Sequence, residues 1–368
     1  MSTATPYTGP AASSVPLRRV ALDELRAHCA AILQGSGLPE GPADLVSDSL
    51  VDAEARGISS HGVTRVRIYS ERLRAGMIDP RAVPELVANT PGRIRVDAHN
   101  AVGHLGAQAG LDAAIAGAKT DYVAIAGVAN SNHCGTLGYF TRRATDAGLI
   151  AVGLSTAPPT MTYFGGRSRA VGTNPISIAV PRPDAPPIVV DMATSATARG
   201  KITLASKLRQ DIPAGWAVDP DGRPTTDAAA ALHGSVVPFG GAKGSGLAMM
   251  VDLLAGAMVA AVTGPDIGDM YEDYTRTQRV SHLFMALDPE GWVGRDAFLD
   301  HVDVFVRRFT HLPPADGVER LLLPGEPEQQ RLARAQREGV LLAEAVTADL
   351  DAIADEVGIG RRVSIQPD

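Results

Sequence analysis

Apolar positions near the start of the chain recur at helical spacing. In LDELRAHCAAILQGSG, Leu22, Leu25, Cys29, Ile32 and Leu33 share one face, and the glycines at 35 and 37 end the run. EGPADLVSDSLVDAEARG reads as a second helix with Leu45, Leu50 and Val51 inward, stopped at Gly57. A third runs from about Gly62 to Ala75, with Val63, Val66, Tyr69 and Leu73 on one side. From about residue 93 the texture changes. RIRVDA, YVAIAGV, IAVGLS, ISIAVP and PIVVDMA are short apolar, β-branched runs bounded by Gly, Pro, Asn and Asp, the mark of buried strands. Two helical stretches, GAQAGLDAAIAGAKT and GYFTRRATDAG, lie among them. Past residue 294, RDAFLDHVDVFVRRFTH, EPEQQRLARAQREG and TADLDAIADEVG are amphipathic helices. The pattern predicts an α/β protein: a helical domain built from both chain ends (18–90 and 294–368), with a sheet domain (91–293) inserted between them. The Ser/Thr/Pro/Ala-rich start, 1–17, reads as a disordered tail.

Composition narrows the function classes. A net charge of −7 argues against a nucleic-acid partner, which needs a dominant basic surface, but leaves room for a small anion held by one arginine. Two cysteines, Cys29 and Cys134, make no disulfide framework and no zinc spacing, so no metal site is expected. The N-terminus lacks a basic and apolar leader, which points to a cytoplasmic protein. GLAMMVDLLAGAMVAAVTG, 246–264, is nearly long enough to cross a bilayer. Asp252 at its middle makes a buried core helix the better reading, and no membrane partner is expected.

Three stretches carry candidate chemistry. In SSHGVTR, Ser60 is placed to cap the third helix, with His61 at its first turn and Arg65 four residues on. The positive end of the helix dipole would keep that histidine neutral, fit for proton transfer, while a guanidinium fork suits a carboxylate. The competing reading is a capped surface helix with two solvated side chains. In GVANSNHCGTLGYF, a buried strand ends in Asn132 and His133 before glycines and a helix, a usual site geometry in α/β folds. Cys134 beside it reads as a packing residue. VVDMATSATARGKI ends a strand at Asp191 and follows it with small hydroxyl residues and Lys201. FGGAKGSGLAMM opens a helix from a glycine-rich loop holding Lys243, an arrangement that favours an anion. Together the last two suggest a phosphate-bearing cofactor on an unconventional sheet, since neither GxGxxG after a first strand nor GxxxxGK[ST] is present.

The chain resembles the malate/L-lactate dehydrogenase family of the second type, also called sulfolactate-dehydrogenase-like. The likeness spans about residues 18–360 and rests on ARGISSHGVTR, SNHCGTLGYF, GTNPISIAVP, VVDMATS, ARGKI, FGGAKGSGLA and LLLPGEPE in that order. It implies a non-Rossmann NAD(P)-binding α/β domain joined to a helical domain, and a homodimer with sites near the subunit interface. It implies hydride transfer between NADH or NADPH and a small 2-oxo or 2-hydroxy acid, of the malate, lactate or ureidoglycolate kind. A cyclic imino acid of the piperideine- or pyrroline-2-carboxylate kind is the alternative substrate. A silent cofactor-binding protein is the alternative of another class. The resemblance assigns acid–base work to His61 and His133, with Ser60 beside them, and leaves open which histidine gives the proton. It assigns the substrate carboxylate to Arg65, with Asn132 and Thr173 nearby. It assigns the cofactor to His133, Gly135, Asn174, Asp191, Met192, Ala193, Lys243 and Gly244. Asn132, where the piperideine-carboxylate reductases are expected to have a second histidine, leans toward the hydroxy-acid members.

Overall fold

A computed structural model describes residues 16–365, so all but the last two residues of the expected N-terminal tail lie outside it. From the start, β1 (Leu17–Val20) leads into α1 (Leu22–Gly35), α2 (Glu40–Ala55) and α3 (Arg65–Arg74). A hairpin of β2 (Glu85–Thr90) and β3 (Arg93–Asp97) follows, then α4 (Gly103–Asp121), β4 (Val123–Ser131), α5 (Leu137–Asp146) and β5 (Ile150–Ser155). Next come β6 (Pro159–Met161), β7 (Val171–Gly172), β8 (Ile176–Arg182) and β9 (Ala185–Met192). The middle of the chain adds α6 (Arg199–Lys207), β10 (Ala217–Val218), β11 (Pro224–Thr225), α7 (Ala228–His233), β12 (Ser235–Val236) and α8 (Ala242–Val251). β13 (Val280–Leu287), α9 (Arg295–Thr310), α10 (Glu326–Glu338), β14 (Val340–Ala343) and α11 (Glu344–Glu356) complete it.

The described residues form three sheets. The largest has the order β2-β3-β4-β13-β5-β8-β9, and within it only β3 and β4 run parallel. That is neither a barrel nor the parallel doubly wound sheet of a Rossmann domain. Its central strand, β13, came from a segment that carries no clear strand pattern. The short strands make a second sheet, β11-β10-β12-β6-β7, and β1 pairs with β14 across the two chain ends.

Helices from both ends share one aliphatic core. Leu25, Ile32, Leu50, Val66 and Tyr69 pack with Leu332, Leu350 and Ile353. Inside α2, Leu50 and Val51 are buried as expected, whereas Leu45 is only half-buried and Val46 beside it is fully buried. Two elements pack outside the expected division. β2 belongs to the large sheet, and α9 lays Val302 and Val306 on the outer strands beside Val180 and Ile188.

α4 fixes the strand that leads to His133. A Cβ on Gly103 would stand 2.1 Å from Asn132 O, one on Gly110 2.4 Å from Val128 Cγ2, and one on Gly117 2.7 Å from Ala124 Cβ. This glycine face lets the helix lie directly on β4 and seats its first turn against the Asn132–His133 backbone.

The apolar stretch after Lys243 is not one buried helix. Ala242–Val259 is long and apolar enough to cross a membrane by length and composition. It changes from α8 to a wide turn at Asp252–Gly256 and a tight one at Ala257–Val259. Val251 and Ala255 pack under the sheet against Leu154 and Leu283. Leu247, Met249, Met250, Leu253, Leu254 and Met258 are exposed. Asp252 is held by Asn174 Nδ2 at 2.8 Å.

Candidate active site

The SSHG segment does not begin α3. Ser59–His61 is a separate 3₁₀ turn, α3 starts at Arg65, and Ser60 caps nothing. The cause is Glu54 on α2. Its carboxylate accepts from Ser59 Oγ (2.6 Å) and Val63 N (3.1 Å), which pulls the turn onto α2. A Cβ on Gly62 would stand 2.0 Å from Glu54 Oε2, so glycine after the histidine leaves that carboxylate in place. Ser60 Oγ instead meets His61 Nδ1 at 2.9 Å. His61 is neutral, as expected, for a different reason: burial and then the neighbouring Arg65 push its pKa down to about 4.

His133, in the loop two residues past the end of β4, stacks on His61 with ring centroids 5.5 Å apart and planes at 24°. Its Nδ1 receives Tyr69 OH at 2.7 Å and Gly135 N–H at 3.3 Å. A backbone N–H can only donate, and burial keeps Tyr69 protonated, so Nδ1 carries a lone pair and the ring proton sits on Nε2. Burial, then His61 and Arg65, hold His133 well below its ordinary pKa. Gly135 also packs a buried layer behind the site: a Cβ there would meet His104 Nε2 at 3.1 Å and Ser49 Oγ at 3.3 Å.

Arg65 lies across the same opening. Its Nε donates to Ser60 O at 2.6 Å, and its NH1 contacts Tyr271 OH, which leaves Cζ 5.6 Å from the centre of the Tyr271 ring. The segment from Asp269 to Gln278 bridges the two halves of the site, because Gln278 Oε1 accepts from His133 N at 3.2 Å. Asn132 sits apart from Arg65 in its bonding. It is buried, and its amide donates to Asn100 Oδ1 (3.0 Å) and Ala101 O (2.8 Å), tying the strand end to the loop before α4.

The expected cofactor residues form a second group. Asp191 at the end of β9 accepts from Gly138 N at 2.7 Å, at the first turn of α5. Solvent reaches Asp191, yet protein crowds it closely enough to lift its carboxyl to about 6, against the opposing pull of Gly138 N–H and Arg142. It lines a cleft of about 360 Å³ with Arg56, Arg142, Val189, Gly325 and Gln329. Arg56 and Arg142 both bind Asp52. Met192 is exposed beside Asp191, and Ala193 is half-buried.

From Ala193 the chain crosses to the glycine-rich loop. Thr194 N donates to Thr173 O, Phe239 N to Thr194 O and Gly244 N to Phe239 O, each at 3.0 Å. A Cβ on Gly244 would stand 2.4 Å from Phe239 O, so only glycine lets that loop close on the β9 end. Lys243 is exposed in the first turn of α8. Asn174 is fully buried, bonded to Ala157 N, Ala248 O and Asp252, and acts as a strut under this group. The buried hydroxyls of Thr194 and Thr197 have no partner among the described residues. Orphan hydroxyls, a helix start and an acceptor carboxylate fit a ligand with phosphates and ribose hydroxyls.

Burial raises the Cys134 thiol to about 12, and the sulfur packs 3.9 Å from His282 Nδ1, so it is no nucleophile. Among the described residues no cluster of His, Cys, Asp and Glu is placed to hold a metal ion.

The sequence pattern of proteins described as malate/L-lactate dehydrogenase matches residues 20–351. The chain belongs to the malate/L-lactate dehydrogenase family. It is 35% identical over 339 residues to a (2R)-3-sulfolactate dehydrogenase (NADP(+)) of Chromohalobacter salexigens, covering 92% of this chain and 98% of that one. It is also 35% identical over 338 residues to a Δ1-pyrroline-2-carboxylate/Δ1-piperideine-2-carboxylate reductase of Pseudomonas aeruginosa, covering 92% and 99%. The solved sulfolactate dehydrogenase of Methanocaldococcus jannaschii superposes with a TM-score of 0.85 at 32% identity, over 93% of this chain and 98% of that one. This family member is therefore an enzyme, a dehydrogenase or reductase of 2-oxo, 2-hydroxy or imino acids that works with NAD(H) or NADP(H).

Proposed function

We propose that the enzyme interconverts a small 2-oxo acid and its 2-hydroxy acid, with His61 as the proton-transfer residue. Asp191, Met192 and Ala193, with Asn174 beneath and Lys243 and Gly244 opposite, would hold the cofactor, Thr173 supporting them. Bound nicotinamide supplies or takes the hydride. Arg65 would bind the substrate carboxylate and fix C2.

The observation that carries the assignment is the pair of Nδ1 environments. His133 Nδ1 faces two donors, Tyr69 OH and Gly135 N–H. A proton there would face the Gly135 N–H, which cannot accept, so His133 favours its neutral form and offers Nε2–H to the carbonyl oxygen as a hydrogen bond. His61 Nδ1 faces Ser60 Oγ, a hydroxyl that donates or accepts as required. His61 can therefore exist in either charge state. In oxidation, neutral His61 takes the hydroxyl proton as the C2–H bond gives up hydride. In reduction, C2 gains hydride and protonated His61 passes its proton to the nascent alkoxide.

The same low pKa supports a second reading. A cyclic imino acid reacts as its iminium ion and needs no proton donor for reduction, and two relatives at 35% identity are named for that reaction. A spectrophotometric screen of 2-oxo acids against cyclic imino acids, with NADH and NADPH, decides between them. Turnover of the imines alone would overturn the hydroxy-acid assignment.

The homodimer expected from the family is supported by the exposed apolar face of α8 and its continuation, from Leu247 to Met258. Light scattering should give twice the chain mass at micromolar concentration; a monomer would remove the dimer.

A further inference from the structure

Arg72 is the largest fully buried side chain among the described residues, a cation set among backbone carbonyls and the Tyr274 ring. Its NH1 donates to Met270 O (3.1 Å) and Asp273 O (2.9 Å), with Asp269 O at 3.4 Å. These carbonyls flank Tyr271. Met270 is buried in the helical core, and Asp269 Oδ1 accepts from Tyr271 N (2.7 Å) and Glu272 N (2.8 Å). Tyr271 itself is about half exposed. It is thus the accessible tip of a turn held from below on both sides, and its hydroxyl meets Arg65 NH1.

That placement restricts how Arg65 can take an anion. Nε is committed to Ser60 O, so the side-on fork is closed. The Tyr271 hydroxyl stands at the NH1 end of the guanidinium, with the ring centroid 5.6 Å from Cζ. What remains is the NH1/NH2 edge, approached in its own plane. A phenol oxygen that accepts from a guanidinium still has its own O–H to give.

Resting on the assignment of Arg65 above, we propose that Tyr271 is a substrate-binding residue. Its O–H donates to one oxygen of the C1 carboxylate while Arg65 binds that group end-on. The seat is planar and edge-on, so it suits a carboxylate and disfavours a tetrahedral phosphonate at C1. The buried Arg72 gives the turn its fixed height, so the phenol is in position before substrate arrives.

The experiment compares wild type, Tyr271→Phe and Tyr271→Ala. It measures KM and kcat for the best 2-oxo acid, the Kd of oxamate in the presence of NADH or NADPH, and the cofactor Kd alone by fluorescence. Tyr271→Phe keeps the ring in the turn beside Arg65 and removes only the hydroxyl. It should raise KM and the oxamate Kd roughly tenfold to hundredfold, the effect of one charge-assisted hydrogen bond. Values of kcat and cofactor Kd should stay near wild type, because the lost interaction is made equally in ground and transition states. Tyr271→Ala should be at least as impaired. Unchanged KM and oxamate Kd in Tyr271→Phe, in a wild-type enzyme that reduces 2-oxo acids, would overturn this inference and leave the functional reading standing. A wild type that neither reduces a 2-oxo acid nor binds oxamate would overturn both.

Discussion

Lowering the pH from about 7 to about 5 should weaken the fold, because the layer behind the site contains histidines whose burial disfavours the charged ring. His282 and His104 are fully buried. His282 lies between Ser155 Oγ (2.9 Å) and Ser131 Oγ (3.0 Å), close to the Cys134 sulfur. His104 is bounded by Tyr69, Phe140 and His282, with no carboxylate to favour its charge. Burial lowers His282 to about 4, and burial with the His282 charge lowers His104 to about 3. Both folded values fall below the unfolded value near 6.5, so the unfolded chain binds more protons and stability is lost as pH falls below about 6.5. Linkage gives roughly 2 kcal/mol lost per histidine at pH 5, and little at pH 7, so about 4 kcal/mol for the pair. Asp191, raised to about 6, acts in the opposite direction. It offsets at most about 1 kcal/mol, and less because solvent reaches it. For these three groups the loss is on the order of 3 kcal/mol, a large part of a typical stability. Urea midpoints of wild type and His282→Gln, taken across this pH range, test it. The variant should start less stable and lose roughly 2 kcal/mol less on acidification. A midpoint that does not move between pH 7 and pH 5, or one that moves equally in both proteins, would refute the reasoning.

Gly62→Ala should cost about 1–3 kcal/mol of stability and lower kcat/KM, because its Cβ would displace the Glu54 carboxylate that holds the His61 turn. Thermal unfolding and kinetics together check it, and wild-type kcat/KM would dismiss the Glu54 latch. Lys243→Ala should weaken NADH or NADPH binding by about 1–3 kcal/mol, read by cofactor fluorescence; an unchanged Kd would remove Lys243 from the site.

Much of the fold is legible where local pattern and tertiary role agree. The 3.6-residue apolar spacing finds α1 and the C-terminal helices, and the β-branched runs find β4, β5, β8 and β9. β13 escapes because VSHLFMAL mixes Ser and His with helix-forming Leu, Met and Ala. Its strand state comes from β4 and β5 on either side, and its polar residues from the Ser155 and Ser131 bonds. His61, Arg65 and His133 are legible as a motif, and the structure does bring them together. Ser60 as a cap fails because Glu54, six residues upstream, takes over the turn. Tyr69 looks like one more apolar helix position, since nothing local reveals that its hydroxyl reaches His133, 64 residues away. Tyr271 and Gln278 sit in a segment with no periodicity and no glycine signal, and their partners are contributed by other elements.

The division of labour between the two histidines is tested most directly by kcat/KM for 2-oxo acid reduction against pH. Wild type, His61→Gln and His133→Gln are compared above about pH 6, where the fold is secure. Reduction needs His61 protonated, and its free-site pKa is about 4. Wild-type kcat/KM should therefore fall about tenfold per pH unit through neutrality. His61→Gln should lose roughly 10²–10⁴ in turnover and flatten that slope, whereas His133→Gln should be slower but keep it. A slope that persists in His61→Gln and disappears in His133→Gln would contradict the account.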